Sequence, residues 1–387
     1  MVEAVKAGAS VRRVARQFGV SRPTVARWVA RAGGQRLDRV EWSDRPSSPQ
    51  RIHRTPPDVE AQVLALRRDL RERSALGEYG APAIQRAWLG DAWGPPPAVR
   101  TIGRILVRCG ALDGQARIRR PAPPRGWYLP AVARGAADCD CFDVVEGLVL
   151  QGGPEVEVLT ALALHAGLPE AWPTPGITTA RVLQALESRW RALGLPAFAQ
   201  FDNDTCFQGP HQLPDVVGRV ARLCLQLGCV PVFTPLQDPS FQAALENFNG
   251  RWQAKVWHRF HHAALGALQE RSGAYIAAAR QRGSTRAADA PPRQPFPAAW
   301  EFDPRQPPCG CLVYLRRTTG DGAARLLGHT FPVDRHWAHR LVRAEVTLPA
   351  GPLRFYRLRR RDPMNQPLLR ELAYALPERR RALKGWH

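Results

Sequence analysis

LPAFAQFDNDTCF, residues 195–207, runs from a short apolar stretch into two aspartates around an asparagine. The apolar part has the length and aromatic content of a strand, and Asp-Asn-Asp is turn chemistry. Asp202 is thereby placed at the carboxyl end of its strand, where open α/β sheets bind ligands. Read alone, the cluster is also a turn in which Asp202 and Asp204 cap the next segment. Its neighbours decide between the two.

Upstream, CDCFDVVEGLVLQGGPEVEVLTALALHAG (139–167) reads as strand, Gly-Gly-Pro turn, strand, mainly of apolar and β-branched residues. ITTARVLQALESRWRALG (177–194) predicts a helix, with Thr178 or Thr179 as its cap and Val182, Leu186, Trp190 and Leu193 at helical spacing. Downstream come a helix in PDVVGRVARLCLQLG (214–228), a strand in CVPVFTP (229–235) and, after LQDPS, a long helix with Phe241, Leu245, Phe248 and Trp252 as its buried stripe. Hairpin strands followed by strands alternating with helices predict an α/β sheet with a mixed part.

Two further acids fit this frame. Asp143 lies inside the otherwise apolar CFDVVEG, and a buried aspartate costs several kcal/mol unless it is paired, hydrogen-bonded or ligated. At about 100° per residue, Glu246 lies about 140° around its helix from Phe241, on a flank shared with Gln242, Asn249 and Gln253. Asp138 and Asp140 stand at the start of the same strand as Asp143, and a shift of one residue reverses the face, so Asp140 stays open as an alternative to Asp143.

With 387 residues and 44% of them hydrophobic, the chain can build two to four cored domains. Its net charge of +21 puts a polyanion first among partners, and nucleic acid before an anionic membrane. No apolar run has the length of a spanning helix, and MVEAVKAGAS lacks the pattern of a signal peptide, so a cytoplasmic, nucleoid-associated protein is expected. Charge is unevenly spread. Residues 1–33 hold seven Lys/Arg against one Glu and residues 311–361 eleven Arg against three acids, whereas residues 138–265 hold thirteen acids against eight Lys/Arg. An acidic module between basic ones suits an enzyme that holds divalent metal beside a phosphate backbone. The eight cysteines lack zinc-site spacing and read as reduced, mostly buried thiols. His258, His261 and His262 read as lying on one long helix without cysteine partners, in a solvated or phosphate-facing role.

VRRVARQFGVSRPTVARWVARA (11–32) places Val11, Val14, Ala15 and Phe18 on one helical face, Gly19 in a turn, Ser21 as a cap and Pro23 in the next helix's first turn. This layout is that of a helix-turn-helix whose second helix presents Arg22, Thr24 and Arg27 to a major groove. A second helical set over 55–112 ends in a basic helix carrying Arg100, Thr101 and Arg104, which reads either as a second DNA-reading unit, with Arg100 and Arg104 as its contacts, or as a packing element. Residues 113–137 and 286–308 are Pro-rich and read as linkers. Beyond them, GCLVYLRR, ARLLGHTFPV, HRLVRAEVTLP and LRFYRLRR are strand-like, and the Arg-rich run 357–361, with Arg357, Arg359 and Arg360, suits phosphate contact.

FDVVEGLVL, FAQFDNDTCF and FQAALENFNGRW, in that order, resemble the acidic triad of DDE transposases and retroviral-type integrases, whose core has the ribonuclease H fold. The flanking modules resemble those of bacterial insertion-sequence transposases. Asp143 matches the first-strand aspartate, Asp202 that of the Asp-Asn-Gly motif, and Glu246 the glutamate of Glu-x-x-Asn, with Asn249 in place. Three positions depart from the pattern. Asp204 replaces the glycine, Asp202 and Glu246 are 44 positions apart, which is longer than usual, and Gln253 replaces a basic residue, leaving Arg251 or Lys255 to touch DNA.

The resemblance implies an organisation of helix-turn-helix (1–35), second helical domain (55–112), basic linker (113–137), ribonuclease H-like core (138–285), Pro-rich linker (286–308), small SH3-like barrel (309–365) and basic tail (366–387). It implies two Mg²⁺ or Mn²⁺ ions held by Asp143, Asp202 and Glu246, with cleavage at an element's end followed by strand transfer. The implied partners are double-stranded DNA, as terminal inverted repeats and target, and further copies of the chain in a synaptic complex. The alternatives are a catalytically inactive, transposase-derived DNA-binding regulator and a ribonuclease H-like nuclease.

Overall fold

The computed structural model describes residues 1–43, 55–88, 94–112, 125–210, 213–235, 238, 241–360 and 362–377. The first half of the expected basic linker, His211, Arg361 and the tail from residue 378 lie outside the described residues. The chain divides into two compact units, Met1–Glu60 and Ala61–His387.

The first unit is built on α1 (Val2–Lys6), α2 (Val11–Gln17) and α3 (Arg22–Ala32). Ser10 and Ser21 cap α2 and α3, accepting from Arg13 N and Thr24 N at 3.3 Å each. Gly19 takes a φ of 63° at the turn, a conformation that side chains with a Cβ avoid. Val14, Ala15 and Val25 form one small core, and Val2, Ala32 and Val40 another. Helix α1, which the sequence reading did not anticipate, makes the unit trihelical. Phe18 corrects the expectation for the packed face: α2 stops at Gln17, Phe18 leaves the helical repeat, and its side chain is 49% exposed.

The second unit begins within α4 (Pro57–Arg73) and continues with α5 (Ala81–Trp88) and α6 (Val99–Arg108), of which α5 packs on α6. After α7 (Pro130–Ala133), β1 (Cys139–Val149), β2 (Glu155–Ala163) and β3 (Pro169–Thr174) form an antiparallel meander. Following α8 (Thr179–Leu193), β4 (Phe198–Phe201) and β5 (Val230–Phe233) continue the sheet in parallel with β1, separated by α9 (Thr205–Gln208) and α10 (Arg219–Gln226). Helices α11 (Ala243–Trp252), α12 (Leu265–Arg282) and α13 (Ser284–Ala288) complete the α-helical set.

Because side chains alternate along a strand, the sheet has two cores. On one face Phe142, Phe201 and Phe233 pack with Trp190 and Leu186 of α8 and Val220 and Leu223 of α10. On the other, Cys139, Cys141, Val145 and Val158 pack with Leu245, Phe248 and Trp252 of α11 and Leu268 and Ile276 of α12. The core is therefore a mixed sheet between two helical layers. No helix of the described residues is long and apolar enough to cross a membrane, and all eight cysteines are free thiols.

The C-terminal strands correct the expectation of a separate barrel. β6 (Gly310–Arg317) pairs in parallel with β5, through Val232 with Val313 and Phe233 with Tyr314. After the hairpin β7 (Ala323–Leu326) and β8 (His329–Pro332), β9 (Leu341–Leu348), β10 (Ala350–Arg357) and β11 (Leu368–Ala375) extend the same sheet. Its order is β11-β10-β9-β6-β5-β4-β1-β2-β3. The physical reason lies in β6, whose Leu312 and Tyr314 join one core while Val313 and Leu315 join the other. A strand apolar on both faces belongs inside a covered sheet.

Two stretches read as linker or loop turn out to be fastened. In the 286–308 segment, Gln294 bridges to Leu195, and Phe296, Trp300 and Phe302 pack against the core beside α8 and α10. The long spacing between Asp202 and Glu246 accommodates a dock for the β7–β8 hairpin. Asp215 N donates to Leu327 O at 3.0 Å, and its carboxylate takes His329 at 2.8 Å and the Tyr374 hydroxyl at 2.7 Å.

Candidate active site

Strand parity distributes the aspartates of β1. Asp140 shares the face of Phe142 and meets α8 and the 286–308 segment, while Asp143 shares the face of Cys141 and Val145, beneath α11. Asp140 is fully buried and accepts from Arg189 Nε at 3.0 Å, Trp190 Nε1 at 3.0 Å and both terminal nitrogens of Arg293. Burial alone would raise its pKa, but the two guanidiniums outweigh it and hold the carboxyl well below the usual range. The alternative first acid is thus a structural ion-pair centre facing away from Glu246.

Asp143 is half-buried, and its Oδ2 accepts from Asn249 Nδ2 at 2.8 Å. Its pKa is pushed up to about 7, first by burial and next by the charges of Asp202 and Glu246, against the hydrogen bonds from Val144 and Asn249. Two acids, the further one 103 positions away in the sequence, therefore act on Asp143. Glu246 stands exposed in the first turn of α11, and partial burial raises its pKa. Asn249, one turn further on, is buried and carries an Oδ1 without a hydrogen-bond partner among the described residues.

The turn after β4 combines both readings of Asp-Asn-Asp. Asp202 Oδ1 accepts from Asp204 N at 3.0 Å, and Asp204 caps α9 by accepting from Cys206 N at 2.7 Å. Asp204, in the place of the usual glycine, therefore serves as a helix cap. Asn203 donates to Thr234 O at 2.7 Å, joining the ends of β4 and β5.

Two positioning groups escaped the sequence reading. Tyr128 donates its hydroxyl to Gln200 of β4, while Gln200 donates to Phe241 O at 3.2 Å, fixing the strand of Asp202 against the start of the Glu246 helix. Its signal was the aromatic pair Trp127-Tyr128 inside a stretch read as linker. Arg316, buried in β6, donates to Asn203 Oδ1 at 2.9 Å. Nothing in the sequence distinguished it from ten other arginines of the basic C-terminal region.

The candidate DNA contacts fall into two groups. Arg22, Arg27, Arg100, Arg104, Arg251, Arg359 and Arg360 are exposed. Thr24, Lys255 and Arg357 are engaged in the protein. Thr24 bonds Ser21 at 2.7 Å, Lys255 donates to Gly77 O at 3.0 Å and Arg357 lies over the Trp337 ring at 5.3 Å. The histidines do not share one long helix. A wider turn, Gln253–Trp257, closes α11, and His262 is buried, stacked on Trp257 and bonded to Val256 O at 3.1 Å.

Among the described residues no three His, Cys, Asp or Glu side chains are gathered closely enough to hold one ion. The donor set nonetheless fits a divalent cation in its chemistry. It consists of hard carboxylate oxygens, two of which raise the proton affinity of the third, beside the unmet Asn249 oxygen. Such mutual repulsion is what a bound cation relieves.

Residues 1–38 match a family model described as a homeodomain-like domain, so the chain carries a helix-turn-helix DNA-binding domain at its N-terminus. Among solved structures, a chain of the simian T-cell lymphotropic virus intasome in complex with PP2A regulatory subunit B56 gamma is similar at 14% identity and a TM-score of 0.34, over 71% of this chain and 88% of that one. The catalytic core domain of BIV integrase matches at 15% identity and a TM-score of 0.28, over 36% and 81%. That of HTLV-2 integrase in complex with magnesium matches at 12% identity and a TM-score of 0.25, over 36% and 74%. Likenesses this distant carry no weight for chemistry, which rests on the residues of this chain.

Proposed function

We propose that the chain is a DNA transposase of the integrase type, catalysing metal-dependent end cleavage and strand transfer of a mobile element at its terminal inverted repeats. The observation supporting this most is Asp143, lifted to about 7 by burial and by Asp202 and Glu246, acids from distant parts of the sequence. Asp143, Asp202 and Glu246 would hold two Mg²⁺ or Mn²⁺ ions. When bound, these supply Lewis acidity toward the attacking and leaving oxygens of a phosphodiester and offset the phosphate charge.

The protein's own groups do the rest. Asn249 orients the Asp143 carboxylate through its 2.8 Å bond, and Arg251, Arg100 and Arg104, all exposed, would contact phosphates. Arg22, which opens α3, and Arg27 in its middle serve a major groove. In cleavage, a water oxygen bonds to phosphorus and the 3′-oxygen leaves as a hydroxyl. In strand transfer, that hydroxyl bonds to a target phosphorus, loses its proton and displaces the target's 3′-oxygen, so one phosphodiester replaces another. Paired ends require more than one copy of the chain, acting at the nucleoid.

A second reading, a transposase-derived DNA-binding regulator, is favoured by the turn and cap bonds that give Asp202 and Asp204 structural roles. Incubation with Mg²⁺ or Mn²⁺ and DNA carrying the element's ends separates the two. The wild type is expected to nick and join, and Asp202→Ala to bind the ends without doing either. End binding without cleavage by the wild type would support the regulator, and cleavage by Asp202→Ala would remove the triad.

A further inference from the structure

Arg316 is 7% exposed, yet among the described residues its acceptors are all neutral oxygens. Nε donates to Arg325 O at 3.1 Å, one terminal nitrogen to Leu315 O at 2.8 Å and Thr234 O at 2.9 Å, and the other to Asn203 Oδ1 at 2.9 Å. The guanidinium also lies 5.0 Å from the centroid of the Tyr314 ring. Burying a cation without an acid is costly, and a hydrophobic residue would suit the core on its face of β6 at less expense. The location shows what the arginine does instead. Asn203 stands between Asp202 and Asp204 in the chain, and its amide nitrogen bonds the same Thr234 carbonyl that Arg316 holds. Arg316, Asn203 and Thr234 form a closed set joining the ends of β4, β5 and β6. Asn203 is thereby held at both ends of its amide, which fixes the backbone on which Asp202 is mounted.

We infer that Arg316 is a positioning residue for the cation site: through Asn203 it sets the turn that presents Asp202, an inference that rests on the proposed function. Its forked geometry is required because five acceptors, Phe233 O at 3.4 Å being the fifth, are shared among its three nitrogens, an arrangement that a lysine's single nitrogen does not match. Although it belongs to the basic C-terminal region, Arg316 works inside the protein and not on a phosphate.

The test is Mn²⁺ binding by the full chain without DNA, followed from the electron paramagnetic resonance signal of free Mn²⁺. Wild type, Arg316→Gln, Asn203→Ala, the double variant and Asp202→Asn are compared, each with its melting temperature and its affinity for element ends. Arg316→Gln and Asn203→Ala are expected to weaken Mn²⁺ binding about 10–100-fold, the scale of outer-shell partners of a metal ligand. End binding stays unchanged, and the double variant is no worse than the weaker single one because the two residues act as a unit. A lowered melting temperature with wild-type Mn²⁺ binding would reduce Arg316 to a structural role and overturn the inference. Should Arg316→Gln not fold, Asn203→Ala decides alone. Wild-type protein that binds no Mn²⁺, with Asp202→Asn indistinguishable from it, would overturn the cation site itself. Binding lost in Asp202→Asn but kept in the other variants would overturn only the role of Arg316.

Discussion

Strand β1 carries Asp140 and Asp143 three residues apart, and the two meet opposite fields. Asp140 points into the helical layer that contains α8, where Arg189 and Arg293 hold it ionised at every ordinary pH. Asp143 points beneath α11, where burial and two like charges favour its proton. Both are aspartates in one strand, so residue type does not account for the difference. Parity does, because an odd number of positions along a strand exchanges one face for the other. A buried acid held by cations is part of the scaffold, whereas one whose proton is favoured by neighbouring acids is a candidate for a functional role.

The largest effect expected from breaking this contrast is on catalysis. Asp143→Asn or Asp202→Ala should lower Mg²⁺-dependent cleavage at least about 10²–10³-fold, the scale of losing one preorganised electrostatic group. Thermal unfolding should show little destabilisation for either variant. Next comes Asp140→Ala, expected to cost about 3–5 kcal/mol in denaturant unfolding, because it takes the shared carboxylate from two buried arginines and leaves Arg293, among the described residues, only Asp138 as an acid, at 3.6 Å. Full stability in that variant would break the comparison at its structural end.

Melting temperature against pH sharpens the contrast further. The folded-state pKa of Asp140 lies below its ordinary 3.8, so its stabilisation is present above that value and is lost as pH falls through the folded pKa. For Asp143, raised from 3.8 to about 7, the folded chain holds a proton that the unfolded chain releases between those values. In metal-chelated buffer its contribution therefore falls as pH rises through that window. Asp140→Asn should remove the first slope and Asp143→Asn the second. The smallest effect belongs to Asp204, a cap outside the coupled acids. Asp204→Asn keeps the cap and should leave cleavage unchanged, whereas Asp204→Ala costs about 1 kcal/mol.

Much of the chain was legible locally. The cap Ser21, the choice of Thr178 over Thr179, the buried Leu245, Phe248 and Trp252 of α11, and the strand ending just before Asp202 follow the local reading, although Phe241 is buried ahead of the helix and α11 is only 10 residues long. Each follows from spacing within about a dozen residues, the range over which periodicity and capping operate. The C-terminal strands show where this stops. Their alternation identified strands, but which neighbour β6 would pair with is a property of the sheet, and the expected separate barrel became an extension of it. The 286–308 segment was read as a linker from its prolines. Arg293 makes it a fastened strap, through an acid more than 150 positions away.

The amino-acid sequence by itself determined the helix-turn-helix, the alternation of strands and helices in the core, and the presence of three acids in order along it. Those features depend on neighbours in the chain. Tertiary structure alone decided which aspartate of β1 faces Glu246, which arginine among many sits beneath the Asp202 turn, and how Tyr128 ties β4 to α11. Charge and hydrogen bonding act through space over a few ångströms, so these roles exist only once distant segments have been brought into contact.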